Sequence, residues 1–99
     1  SGTCLALYPV DKLAEDIGEN IKASSVPFSG ITLAHNVREK SQVAEVLDQA
    51  QEAGGKIVKP AQDTFWVGYS GYFTDPDGYF WEVAWGAFEF NADGSLIIP

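Results

Sequence analysis

A single cysteine, Cys4, stands in the 99 residues. It excludes an internal disulfide and a multi-cysteine zinc site, and on an apolar segment it is expected to act as a small buried hydrophobe. Basic residues are also scarce: Lys and Arg total 6 against 14 Asp and Glu, a net charge of −8. No cluster of Lys and Arg interrupts the acidic average, which argues against the phosphate contacts that supply most nucleic-acid affinity. A negative field favours neutral or cationic small ligands instead. No apolar run approaches the roughly 18 residues of a membrane span, and no basic segment followed by an apolar one opens the chain. The expectation is a soluble, cytoplasmic protein with neither membrane nor nucleic acid as partner. Ser70 lies in YSGY, outside any nucleophile elbow, and no glycine loop carries a phosphate-binding lysine.

Aromatic residues are plentiful by contrast, with 3 Trp, 6 Phe and 4 Tyr. A chain of this length forms one domain and hides only about 60 to 65% of its unfolded surface. Part of the aromatic surface is therefore expected to face a pocket or a second subunit rather than the chain's own interior.

Along the chain, TCLALYPV reads as a short strand closed by Pro9. Asp11 is a good N-cap for one or two helical turns carrying Leu13, Ala14 and Ile17, with Gly18 as the stop and a polar connector after it. FSGITLAHNV, from Phe28 to Val37, has the β-branched content of a partly buried strand. SQVAEVLDQAQEAGGK is the clearest helix: Ser41 is a fair N-cap, Val43, Val46, Leu47, Ala50 and Ala53 make one stripe, and Gly54 or Gly55 ends it. KIVKP follows as a strand terminated by Pro60. In FWVGYSGYFTDPDGYFWEVAW, Asp75, Pro76 and Gly78 spell a hairpin turn between strands at about Gly68 to Thr74 and Tyr79 to Trp85. The tail FEFNADGSLIIP fits a final edge strand after an Asp93-Gly94 turn, or an arm on a partner subunit.

The order strand, helix, strand, strand, strand, with a helix ending in AGG, a KP-ended strand and a DPDG turn leading into an aromatic-Trp-Glu strand, resembles the second module of the glyoxalase, bleomycin-resistance and extradiol-dioxygenase superfamily, the vicinal oxygen chelate proteins. The resemblance runs from about Gly2 to Phe88. It implies an α+β fold: a βαβββ module plus one leading strand, a mixed sheet with a helix on one face. Residues 1–99 then form a single glyoxalase-like domain, with 1–27 as the last strand of a first module and its connector, 28–90 as the βαβββ module and 91–99 as the tail. In that family two modules pair into a cup that holds the ligand. Most of a first module is missing from this sequence, so the cup is expected to be completed by a homodimer, with strand exchange as one route.

Glu82 raises the chemical question. A carboxylate among aromatic and aliphatic neighbours must be solvated, paired, protonated or bound to a metal. Metal-dependent members of the superfamily carry His and Glu ligands on the first and last strands of each module. Glu82 matches one such position, Thr32 stands where a ligand His is usual, and Ala6 falls where a Glu or Gln would be. His35 lies on the opposite strand face from Thr32 and is expected to point away. Catalytic zinc sites usually supply three protein ligands, so no cofactor is expected, and a divalent metal only with additional ligands. The ligand-binding candidates are Glu82, Thr32, Phe80, Trp66 and Tyr69, while Trp81, Val83 and Trp85 are expected to pack on the helix. The leading reading is a metal-free small-molecule binder with its pocket near Glu82. The alternatives are a lyase or dioxygenase-type enzyme completed by ligands from an N-terminal portion, and a non-catalytic dimerising domain.

Overall fold

The computed structural model describes residues 4–18, 21 and 28–98. After α1 (Val10–Ile17) come β1 (Thr32–Asn36), α2 (Ser41–Glu52), β2 (Lys56–Asp63), β3 (Tyr69–Thr74) and β4 (Phe80–Trp85), then the short β5 (Glu89–Phe90) and β6 (Leu96–Ile97). The sheet has four strands in the order β1-β4-β3-β2. β1 runs parallel to β4, and the remaining neighbours are antiparallel. This is the expected α+β fold, a βαβββ unit whose helix carries the chain from one sheet edge to the other. Among the described residues, no helix is long and apolar enough to cross a membrane.

Period-2 alternation in β4 divides its residues between two environments. Val83 packs with Val37, Val43 and Leu47 in a buried cluster, and Trp85, Phe73, Tyr69, Ile57 and Val46 lean on its margin. Each fully buried Leu or Val contributes roughly 1.5 to 3 kcal/mol; this cluster between sheet and α2 is one of two buried sets, the other being Ala14, Ile17, Tyr72 and Ala84 on the opposite side. Gly71 permits the close approach: a Cβ there would lie 2.6 Å from Leu47 Cδ1 and 2.8 Å from the Lys59 carbonyl.

Local sequence explains the boundaries. Gly54 takes φ 103° and ends α2, as its left-handed tolerance allows. Ser41 is the first helical residue rather than the cap; Lys40 holds that position without a side-chain bond, and Gln42 Oε1 instead accepts from the Glu39 N–H at 2.9 Å. In the DPDG turn, Gly78 has φ 88°. Asp75 Oδ1 accepts from the N–H groups of Asp77 and Tyr79, and its Oδ2 from Trp81 Nε1, each at 3.0 Å. These donors hold the Asp75 carboxyl below the usual range, the Trp81 bond foremost.

Several expectations are corrected. The described part of TCLALYPV, 4–9, forms no strand; a strand needs a neighbouring backbone, and apolar alternation alone does not supply one. Its residues are exposed, Leu5 and Leu7 at 89% and 90%, and Cys4 is exposed rather than buried. Asp11 sits in the first turn of α1, with Pro9 at the N-cap position, where the ring's fixed φ suits helix entry. The start of the chain and most of the connector up to residue 27 lie outside the described residues. Pro60 does not end β2, because this is an edge strand with register shifts on both sides of Lys59, where a missing N–H is tolerated. The tail does not extend the main sheet: β6 pairs with β5 in a separate two-stranded hairpin. Its turn repeats the DPDG pattern, with Asn91 N–H bonded to Ser95 O and Gly94 N–H to Asn91 O. The Arg38 guanidinium ties it to the module through the Asn91 carbonyl and the Phe90 ring.

Candidate functional site

The face of β4 opposite α2 carries Glu82, and strand register builds a row around it. Ala34 of β1 stands beside Glu82 on one side and Tyr72 of β3 on the other, while Lys59 of β2 continues the row beyond Tyr72. Helix α1 crosses over this row, burying Ala14 and Ile17. Two bonds fasten it: Tyr72 Oη donates to Asp16 Oδ2 at 2.7 Å, and Lys59 Nζ donates to the Asp16 carbonyl at 2.6 Å.

Between row and helix lies a cavity of about 340 Å³. Thr32, Ala34, Tyr72 and Glu82 form its floor, Ala6, Tyr8, Leu13 and Asp16 one wall, and Phe65 and Trp66 its rim. Trp66 is held in place by space its neighbours leave: its ring lies over Gly68 and Gly86, where any Cβ would collide with it, and leans on Phe88 with centroids 6.2 Å apart. The turn beneath it closes with Thr64 N–H to Gly68 O at 3.0 Å and Gly68 N–H to Thr64 Oγ1 at 2.9 Å. That turn forces the β-branched Val67 to φ 63°, a conformation such residues rarely adopt.

Burial pushes the Glu82 carboxyl up to about 7; the Asp16 charge adds to the shift and Lys59 offsets part of it. Near neutral pH the group therefore exchanges between acid and carboxylate. Among the described residues, no hydrogen-bond donor reaches it. The Tyr72 hydroxyl is pushed well above its ordinary range, first by burial, then by the Glu82 charge and its bond to Asp16, so it stays a neutral donor. Thr32 Oγ1 is covered and has no partner among the described residues.

Of the candidates, Glu82, Thr32 and Trp66 meet at this cavity, as does Ala6. Phe80 and Tyr69 do not line it. Phe80 shares the Glu82 face but sits at the start of the strand, edge-on to Phe28 at 5.5 Å. Tyr69 lies on the helix face against the core, with Lys40 Nζ 4.8 Å from its ring centroid. His35 pairs with Val83, not Glu82, and is exposed. Tyr72 belongs in the site in place of Tyr69, and the hairpin turn carried that signal: counting back from Thr74 opposite Phe80 puts Tyr72 opposite Glu82. Asp16 and Lys59 had no local signal, because the docking of α1 and the irregular register of β2 are tertiary outcomes.

Among the described residues, the donors at this cavity do not fit a metal ion. Ala6 has no donor atom, Thr32 offers a neutral hydroxyl, and no group of three His, Cys, Asp or Glu suited to a metal occurs among the described residues. Asp16 is the other carboxylate lining the cavity, and its Oδ2 accepts from Tyr72.

The family model of the Glyoxalase/Bleomycin resistance protein/Dioxygenase superfamily matches residues 2–83. Among solved structures, a glyoxalase-related enzyme from Fulvimarina pelagi is 39% identical, with a TM-score of 0.66 over 90% of this chain and 63% of that one. A glyoxalase/bleomycin resistance protein/dioxygenase family enzyme from Burkholderia phytofirmans PsJN shares the fold at 23% identity and a TM-score of 0.55, over 65% of this chain and 52% of that one. The hypothetical protein SA1046 from S. aureus does so at 22% identity and 0.55, over 61% and 51%. The chain thus spans 63% of the first relative's length and about half of the other two. Comparison with curated proteins finds no match.

Proposed function

The chain belongs to the glyoxalase, bleomycin resistance protein and dioxygenase superfamily, and from that premise we propose that it is a metal-free small-molecule binding protein whose ligand occupies the cavity at Glu82. The observation that carries this reading is the convergence of Glu82, Thr32, Tyr72 and Trp66 on one cavity, whose volume falls at the lower end of the roughly 300 to 1,000 Å³ typical of small-molecule sites. Apolar walls with a few converging polar groups are the usual make-up of such a site.

The working form is a homodimer. β1 stands at the end of the sheet order, and Leu33 within it and Ile31 just before it, like Leu5 and Leu7 of the leading segment, expose large apolar side chains. A second copy would cover both the edge and these groups. Sedimentation equilibrium tests this directly, a monomer at micromolar concentration being the contrary result.

A ligand that binds only the native state raises apparent stability. Thermal melts of the purified chain against divalent metals and a panel of small neutral, cationic and anionic compounds are expected to show upward shifts with compounds and none with metals. Stoichiometric bound metal together with turnover would sink the reading. One observation favours a second reading, an enzyme of the lyase or oxidoreductase type: the Fulvimarina pelagi relative is described as an enzyme. In this reading the missing metal ligands come from a further segment or subunit, and the chain alone would bind no metal tightly while the completed assembly would.

A further inference from the structure

We propose that the cavity takes an organic cation, a tertiary or quaternary ammonium on an apolar body, with the cationic head set between Glu82 and the rings of Tyr8 and Trp66; this rests on the reading of the cavity as a ligand site. The walls are aromatic or aliphatic except for Thr32 and two acids, Asp16 and Glu82. Asp16 already accepts the Tyr72 hydroxyl. Glu82 is left as a half-buried carboxyl that no donor satisfies among the described residues, and burying a charge in that state is costly.

Lys59 is the neighbouring cation, but its ammonium is bonded to the Asp16 carbonyl at 2.6 Å and stands over the Tyr72 ring, 6.0 Å from its centroid. Among the described residues it forms no ion pair with either acid. Beyond it, an adjoining cavity is lined by Tyr8, Lys12, Glu15, Asp16, Lys59 and Phe65, so the basic side chains collect outside the Glu82 chamber. An anionic ligand would face Glu82 and Asp16 in a poorly solvated space. A neutral one would leave Glu82 unsatisfied whenever it ionises. A cation with no strong hydration shell matches both the aromatic faces and the carboxylate.

Ligand charge is then linked to protonation. A permanent cation favours ionised Glu82, so its affinity rises with pH until Glu82 has titrated, and protons are released on binding below that point. The charged and titratable groups facing Glu82 are Asp16 from α1, Tyr8 from the leading segment, Lys59 from β2 and Tyr72 from β3.

Isothermal titration calorimetry on the chain with benzyltrimethylammonium, benzyl alcohol and phenylacetate tests the class. The cation is expected to bind roughly tenfold or more tightly than the other two, the scale of a desolvated cation–aromatic contact. Its affinity should climb between about pH 5.5 and 8, and Glu82→Gln should weaken it by about tenfold while leaving benzyl alcohol unchanged. The pH series on the unaltered chain keeps the test intact if the variant folds poorly. Benzyl alcohol or phenylacetate binding as tightly as the cation, or a pH-independent cation affinity, overturns the ligand class and leaves the cavity a ligand site. Absence of all binding at millimolar concentration overturns both.

Discussion

Two faces of one sheet carry opposite designs. On the α2 side, Val83 and Val43 are 0% exposed and Leu47 2%, with apolar neighbours on every side. On the α1 side, Glu82 and Tyr72 from the two central strands meet a cavity, a pair of hydrogen bonds and an acid with no donor among the described residues. Strand alternation gives both faces the same backbone precision. What differs is what covers them: a 12-residue helix packed along the strands on one side, an 8-residue helix pinned at Asp16 on the other. The first face is packed with apolar groups alone, while the second combines buried groups, Ile17 and Tyr72 among them, with a cavity and a buried acid.

Truncation at the two faces separates them most sharply. Leu47→Ala is expected to cost about 3 kcal/mol in urea unfolding, within the usual range for an emptied core site. Leu7→Ala, on the cavity side's leading segment, should change monomer stability by less than about 0.5 kcal/mol. If the chain dimerises through that segment, the Leu7 effect will grow with protein concentration. Equal costs at both positions would erase the contrast.

The next effect is a pH dependence confined to the cavity face. Glutamate's ordinary value of 4.5 lies below the value of about 7 for folded Glu82. Between these pH values the folded chain keeps a proton that the unfolded chain has lost, so stability falls as pH rises through the window and levels off above it. The full loss is on the order of 3 kcal/mol. Glu82→Gln should remove this slope and be the more stable form at pH 8, as read from denaturant melts at several pH values.

Which parts of this contrast were readable in the residues follows from how local each one is. The Asp75 turn and the alternation of Phe80 to Trp85 depend on near neighbours, so β3, β4 and the split between Val83 and Glu82 were legible. The stripe of α2 was legible for the same reason, up to Ala53, which falls past the helix end and is exposed. The leading segment departs from the expected strand, since apolar alternation does not reveal whether a partner strand exists. Tyr72 rather than Tyr69 belongs to the site, and the turn's register distinguishes them. The bonds of Lys59 and Tyr72 to Asp16 join residues 43 and 56 positions apart, and no short-range pattern encodes them.

Smaller changes sharpen the cavity face further. Tyr72→Phe removes the bond to Asp16 and should cost about 1 kcal/mol, with faster amide exchange in α1 and unchanged exchange in α2. Unaltered exchange in α1 would mean that the Tyr72 bond does not hold the helix down. Val67→Asn, at the strained turn below Trp66, should stabilise the chain by about 0.5 kcal/mol, since Asn tolerates the left-handed region. A loss of stability there would place the strain elsewhere.

The most direct measurement is the titration of the Glu82 side-chain carboxyl by carbon-detected NMR, in the unaltered chain without ligand. A midpoint near 7, moving down when a cationic ligand is added, is the expected result. A midpoint near the ordinary 4.5 would show the cavity face to be open to water and would contradict its role as a desolvated binding site.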